Sequence, residues 1–191
     1  MTGKERIMRI LNREEVDRSA YWLGNPHHNA LMLYLKHFGL KNLFELAERM
    51  GNDLFWQPCD TYDHPEGRPM WDVRGGEKQV SFAQAGVFAN AESVEEIEAF
   101  PRWPNPDYIN FDWFLLQYDI VREKDYAVFS GTWAPVWHIL MDFFGMENCF
   151  VKMYTHPDVV KAVMKKMVDF YLEVNRRFFD EHADKVDVFF F

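Results

Sequence analysis

Apolar residues recur at two different spacings along the chain, and each spacing predicts one kind of element. Intervals of three and four residues predict helices over residues 3–13, 27–38, 41–50, 93–100, 107–123 and 134–144, followed by a long helix from Thr155. Short apolar runs predict strands at residues 19–23, 53–57, 126–130 and 186–191. Short apolar strands separated by helices indicate an α/β fold with a parallel sheet.

The long helix carries the clearest pattern. It begins at Thr155-His156-Pro157-Asp158, and proline is favoured in the first turn of a helix. Its apolar residues lie three or four positions apart and therefore share one face. They are Val159, Val160, Val163, Met164, Met167, Phe170, Tyr171, Val174 and Phe178. The pattern predicts a helix packed along its whole length against a core.

Residues 58–106 interrupt the alternation of strands and helices. They are rich in glycine and proline, with short strand candidates at Met70–Val73 and Gln79–Phe82 that would form a β-hairpin. We therefore predict one domain over residues 1–191, with an irregular insertion at 58–106.

The last predicted strand, Val186–Phe191, has no helix after it. A strand that ends on three phenylalanines leaves an apolar edge open to pairing. We therefore expect the chain to be the first half of a larger fold. As 191 residues alone, it should be inactive, and it should aggregate or pair with its missing half or a second copy of itself.

Composition narrows the classes of function. The formal net charge is −9 and no run of basic residues exceeds two, which argues against nucleic acid or an anionic membrane as partner. No apolar run approaches the roughly 18 residues of a membrane span, and the N-terminus has no signal-peptide core, so we expect a soluble cytoplasmic protein. Cys59 and Cys149 lie far apart without a second ligand at metal-binding spacing, so we predict neither a disulfide framework nor a metal site in this chain.

Four stretches of the sequence resemble one known family. They are the opening TGKERIMRILNREEVDR, the segment from Ala134-Pro135 to Gly145, the helix start THPDVV and the terminal VDVFFF. Together they resemble the uroporphyrinogen decarboxylase superfamily, and the resemblance extends over essentially all 191 residues. It implies a (β/α)8 TIM barrel, of which this chain would supply an N-terminal helix and roughly the first four β/α units.

The chain departs from the decarboxylases of that superfamily at their main substrate-binding positions. Their arginines, in a segment reading roughly VWFMRQAGR, align with Asn25 and Asn29 of YWLGNPHHN. Asparagine carries no charge and cannot form a bidentate fork with a carboxylate. The family's active-site tyrosine aligns with Met141, and its catalytic aspartate falls near Gln57, with Asp60 close behind. These departures argue against uroporphyrinogen as the substrate.

The cobamide-dependent methyltransferases of the superfamily do not need those groups. Resemblance to them implies a corrinoid protein as partner and methyl donor, and a zinc ion whose His-x-Cys and later Cys ligands would lie beyond Phe191. We therefore expect a corrinoid-linked methyltransferase or demethylase. Two alternatives stay open: a carboxy-lyase that acts on a tetrapyrrole without a cofactor, and a non-catalytic module that binds a tetrapyrrole or corrinoid.

The first candidate site residues follow the first predicted strand, because functional groups of barrels lie where strands end. His27 and His28 stand beside Asn25 and Asn29, and all four are candidates to bind substrate, for example a carboxylate or a corrinoid amide. Alternatively, the histidines occupy the solvated first turn of the next helix. Adjacent residues of a helix point about 100° apart, so a two-histidine chelate is not expected.

The second group follows the second predicted strand. Asp60 is the candidate catalytic residue, as a general base or as a carboxylate that orients a histidine. Gln57, Asp63 and His64 are candidates to bind substrate. For the residues of the loop after Pro58, a role in turns is the alternative.

The third group follows the third predicted strand. Thr132 and Trp133 would line an apolar pocket large enough for a tetrapyrrole, and core packing is the alternative for Trp133. His138 in a helix, His156 at a helix start and Cys149 between two helices are predicted to be structural.

Overall fold

The computed structural model describes residues 1–77, 81 and 83–190. These residues form two compact units. The first unit contains residues 1–59, 111–131 and 181–191, and the second contains residues 60–110 and 132–180. Gln79, Val80 and Phe82 of the predicted hairpin lie outside the described residues.

The first unit is an α/β structure built on a parallel sheet. Its strands are β1 (Leu54–Pro58), β4 (Ala127–Gly131) and β5 (Val188–Phe189), and they lie side by side in the order β1-β4-β5. Leu54 pairs with Ala127 and Phe129 pairs with Val188, both in parallel register. The predicted strands near 53–57, 126–130 and 186–191, and their parallel direction, are therefore confirmed.

Four helices of the described chain belong with this sheet. They are α1 (Gly3–Leu11), α2 (His28–Phe38), α3 (Leu43–Met50) and α5 (Asp112–Glu123). Helix α1 begins where the sequence predicted, because the Thr2 hydroxyl accepts the Glu5 N–H at 3.1 Å. Ile7 of α1 packs on Leu54 and Ala127, and this contact joins the helix to the sheet.

The predicted strand at residues 19–23 is wrong, because these residues do not form a sheet ladder. Tyr21 bonds to Asp53 twice: its carbonyl accepts the Asp53 N–H, and its N–H donates to the Asp53 carboxylate, each at 2.8 Å. The Leu23 N–H donates to the Asn52 side chain at 3.1 Å. Two side chains thus replace the backbone partners that a strand would use, and the segment then turns away at Gly24, whose φ is 82°.

The second unit consists mainly of helices. They are α4 (Val94–Glu98), α6 (Val136–Phe144), α7 (Met146–Thr155) and α8 (Pro157–His182), the last two residues of which belong to the first unit. A short antiparallel ladder, β2 (Thr61–Tyr62) with β3 (Ile109–Asn110), completes it. The helix predicted from residue 107 begins only at Asp112, because residues 106–108 form a 3-10 turn and 109–110 form β3.

Two further predictions in the second unit are wrong. Residues 70–73 form turns and not a strand. Residues 146–155 form α7, where a linking segment was expected, because Gly145 ends α6 and also begins the next helix. The apolar face of α8 is confirmed: of its predicted residues all but Met164 are buried.

Candidate functional site

At the carboxyl end of β1, the structure shows no hydrogen-bond partner among the described residues for the buried polar atoms of two side chains. The Gln57 side chain is fully buried, and within the part of the chain that the structure describes neither atom of its amide has a hydrogen-bond partner. The indole N–H of Trp56 is likewise buried and unbonded there. Only the Gln57 backbone is fixed, since its carbonyl accepts the Ser130 hydroxyl at 2.8 Å. A buried polar group without a partner costs about 1–3 kcal/mol, so its retention at a strand end marks a candidate functional position.

A cleft of about 320 Å³ lies beside this end of β1, within the first unit. Its lining is aromatic, apolar or uncharged: Asn25, Asn42, Leu43, Phe44, Phe55, Trp56, Pro58, Trp113 and Gln117. Of the predicted site residues in this unit, Asn25 is part of the lining. Gln57 is not, although it stands in the sequence between the lining residues Trp56 and Pro58.

His27 and His28 occupy the start of α2. The Nδ1 atom of His27 accepts the Asn29 N–H at 3.3 Å, so His27 caps the helix, and His28 is its first residue. All three side chains are exposed to solvent. This geometry matches the alternative that the histidines occupy the solvated start of a helix, where a capping role explains His27 without a ligand.

Asp60 belongs to the second unit and comes two residues after the last residue of β1 in the chain. Its carboxyl is half-buried, and burial raises its pKa to about 6, against the opposing effect of a backbone hydrogen bond. A carboxyl group with a pKa near neutrality can both accept and donate a proton under physiological conditions. Asp60 is therefore a chemically suitable acid–base group.

Two aromatic residues, Trp71 and Tyr171, were not predicted as site residues, and the second is affected by the charge of Asp60. The Trp71 indole N–H donates to the Tyr171 hydroxyl at 2.8 Å, and both rings pack against Phe170. Burial raises the pKa of Tyr171, the charge of Asp60 raises it further, and the Trp71 bond opposes both. The tyrosine therefore stays protonated beside Asp60. A tyrosine on the otherwise apolar face of α8 was the one available signal, because a buried hydroxyl needs a partner.

Asp63 and His64 have structural roles in the β2–β3 region. The Asn110 side chain donates to the Asp63 carboxylate, and the Asp63 N–H donates to the Tyr108 carbonyl at 2.7 Å. The His64 Nδ1 accepts the Glu66 N–H at 3.0 Å, which forms a tight turn. These contacts match the turn alternative for the two residues.

Thr132 and Trp133 follow β4 and differ in exposure. Thr132 is fully buried and holds Asn175 of α8 through two hydrogen bonds: its N–H donates to Oδ1 at 3.2 Å, and its hydroxyl accepts from Nδ2 at 2.8 Å. Trp133 is exposed. Thr132 thus anchors the segment to α8, while the Trp133 ring stays open to solvent.

The zinc ion that the superfamily resemblance implies finds no suitable ligands in the described chain. Across residues 1–77, 81 and 83–190, no three His, Cys, Asp or Glu side chains converge as metal ligands. Both cysteines are buried, and burial raises the pKa of Cys149 to about 11, which disfavours the thiolate that zinc binds. We assign no step to zinc in this chain.

Comparison with known proteins adds no constraint on the family or the reaction. No family model, curated protein or solved structure matches the chain. No helix in the described ranges has the length and apolar content needed to cross a membrane.

Proposed function

We propose that this chain is part of a (β/α)8 barrel enzyme of the uroporphyrinogen decarboxylase superfamily, with Asp60 as its proton-transfer residue. The observation that carries the proposal is the half-buried Asp60 carboxyl, whose pKa burial raises to about 6, just after a parallel strand. Barrel enzymes have their catalytic groups in this position. The order β1-β4-β5 supports a barrel, because strands consecutive in a β/α series pair side by side and in parallel.

For the reaction, we propose corrinoid-linked methyl transfer. Asn25, Asn29 and Met141 stand at the positions of the decarboxylases' two arginines and tyrosine, so the chain lacks the charges that bind a polycarboxylate. A methylated corrinoid on a partner protein would supply the methyl group and keep the electron pair of the broken bond. Asp60 would take the proton that the methyl acceptor loses, as a general base.

The pKa of Asp60 also favours a second candidate, a carboxy-lyase. In that reaction the protonated carboxyl would donate its proton to the carbon atom that loses carbon dioxide. The two reactions need opposite forms of the same group. A pKa of about 6 supplies the carboxylate above pH 6 and the carboxylic acid below it.

The pH dependence of turnover separates these two functions. Because the 191 residues alone are expected to be inactive, the complete barrel that contains this chain is assayed with methylcobalamin and a thiol acceptor, and separately with uroporphyrinogen, over the range from about pH 5 to about pH 8. Methyl transfer should rise with pH and level off above a midpoint of about 6. A carboxy-lyase should instead fall above the same midpoint. Binding of methylcobalamin without turnover would contradict both and favour a binding module.

Two variants test the role of Asp60 itself. Asp60→Asn keeps the shape of the side chain and removes the charge, and it should lower turnover by roughly 10²-fold or more. The matched control is Asp107→Asn, because Asp107 is an exposed carboxylate of the same unit, paired with Arg177 at 2.9 Å. Turnover by Asp60→Asn equal to that of the control would overturn the assignment.

A further inference from the structure

The cleft beside β1 lies where residues 19–25 turn away from the sheet. Strand β1 is at one edge of the three-stranded sheet, and Tyr21 bonds to Asp53, directly before the start of the strand. After Gly24 the chain turns away from the strand. Asn25 and the second half of β1 then line the same cleft, whose volume is about 320 Å³. This volume is at the lower end of the range for small-molecule sites.

Aromatic rings form the walls of the cleft. Phe44 and Phe55 stack with their centroids 4.8 Å apart at an angle of 18°, which gives a fixed apolar surface. Trp113, in the first turn of α5, leaves 49% of its surface exposed. An exposed indole beside a preformed aromatic wall is a surface on which a flat ring can stack, with release of water from both faces.

Besides the indoles of Trp56 and Trp113, the polar side chains of the cleft lining are three uncharged amides. Gln117 lies four residues after Trp113 on α5 and therefore on the same face. The Asn42 side-chain oxygen accepts the Glu45 N–H at 3.0 Å, so one of its two lone pairs is used and its N–H donors stay available, whereas Asn25 and Gln117 offer donors and an acceptor. None of the lining residues carries a charge, although charged residues make up 27% of the chain.

We propose that this cleft binds a small, uncharged, planar heteroaromatic compound, which stacks on Trp113 and hydrogen-bonds to the amides of Asn25, Asn42 and Gln117. A charged ligand would lose its hydration without gaining a counter-charge. An anion is further disfavoured by the net charge of −9. A pure hydrocarbon would form no hydrogen bonds with these amides. The site involves residues of the first unit only and is independent of the role proposed for Asp60.

Equilibrium dialysis with lumichrome, a neutral three-ring heterocycle, tests the proposal. Naphthalene offers a flat ring without hydrogen-bonding groups, and flavin mononucleotide offers a related ring with a charged phosphate. Lumichrome should bind saturably at one site per chain, and each of the other two compounds should bind at least about tenfold more weakly. Equal binding of naphthalene, or no saturable binding of lumichrome, would overturn the proposal.

Matched tryptophan variants locate the binding. Trp113→Ala should weaken lumichrome binding by about tenfold or more. Trp137→Ala is the control, because Trp137 is 48% exposed on α6 and outside the cleft lining, and it should not change the affinity. Gln117→Leu provides an independent variant that should weaken lumichrome binding and leave naphthalene binding unchanged. Equal effects of the two tryptophan changes, or no effect of Gln117→Leu, would show that lumichrome does not bind in this cleft.

Discussion

The two ends of β1 treat their buried polar groups in opposite ways. At its start, the buried Asp53 carboxylate accepts hydrogen bonds from Arg6, from Arg18 at 2.6 Å and from the Tyr21 N–H at 2.8 Å. Arg6 is buried too, and it bonds in addition to Asp17 at 2.6 and 2.8 Å. Every charge at this end has a partner of opposite sign.

At the carboxyl end of the same strand, the buried amide of Gln57 and the indole N–H of Trp56 have no partner within the described residues. Asp60 follows in the chain, and burial raises its pKa to about 6. A backbone hydrogen bond opposes this shift, and no cation contributes to it. The start of the strand is built for stability. The groups at and after its end lower stability, which is typical of positions retained for function.

The largest effect is expected from Asp53→Asn. It leaves the buried Arg6 without one of its carboxylates and should lower the free energy of unfolding by about 3 kcal/mol, measured by urea denaturation. Asp17→Asn is the control: it also removes a carboxylate from Arg6, but the Asp17 side chain is 46% exposed and that of Asp53 only 2%, so the loss should be clearly smaller. Equal losses would mean that the start of β1 is no more stabilising than the surface.

A smaller effect of opposite sign is expected at the other end. Gln57→Leu replaces an unpartnered buried amide with an apolar side chain of similar size, and should raise the free energy of unfolding by about 1 kcal/mol. Ser130→Ala is the companion variant. It removes the hydroxyl that bonds to the Gln57 carbonyl and should lower stability by about the same amount. A loss of stability in Gln57→Leu would show that the amide is paired in solution.

The smallest effect is expected when the folded protein is treated with a thiol reagent, because its two cysteines should not react. Cys59 adjoins the end of β1 and Cys149 lies in α7, and both are buried. In the folded protein at about pH 8, neither should react with a disulfide reagent such as DTNB until urea unfolds the chain. If DTNB reacted rapidly with Cys59 while Cys149 stayed protected, the carboxyl end of β1 would be shown to open locally.

The elements were predictable where apolar residues form a short run or recur at helical spacing. The runs at 53–57 and 126–130 and the stripe of α8 are of this kind, and the structure confirms them. The failed strand at 19–23 has the same apolar character, but Asn52 and Asp53 bond its backbone with their side chains. A pattern of apolar residues does not show such a substitution, because it depends on contacts between segments distant in sequence.

The same limit applies to the candidate site. That Asp60 follows a strand was visible in the sequence, and so was the position of Asn25 after an apolar run. That Tyr171 bonds to Trp71 and is affected by the charge of Asp60 was not visible, because the two aromatic residues come from a long helix and from a turn. Local signals therefore gave the candidate acid–base group and missed the pair of Trp71 and Tyr171.

The raised pKa of Asp60 has a definite consequence for stability. In the unfolded chain an aspartate releases its proton near pH 3.9, whereas folded Asp60 holds it up to about pH 6. Between these values the folded state binds more protons, so the free energy of unfolding falls as pH rises. The stabilisation is present at about pH 4 and is lost above pH 6. Because Asp60 is partly solvated, we expect the loss to be about 1–2 kcal/mol.

The most direct test is urea denaturation of the native protein and Asp60→Asn at about pH 4 and at about pH 7.5. Asparagine does not titrate, so the variant should match the native protein at the lower pH and exceed its free energy of unfolding by about 1–2 kcal/mol at the higher pH. This result would establish Asp60 as a carboxyl whose proton is held near neutrality. The same difference between the two proteins at both pH values would mean that Asp60 titrates as an ordinary aspartate, and it would contradict the account.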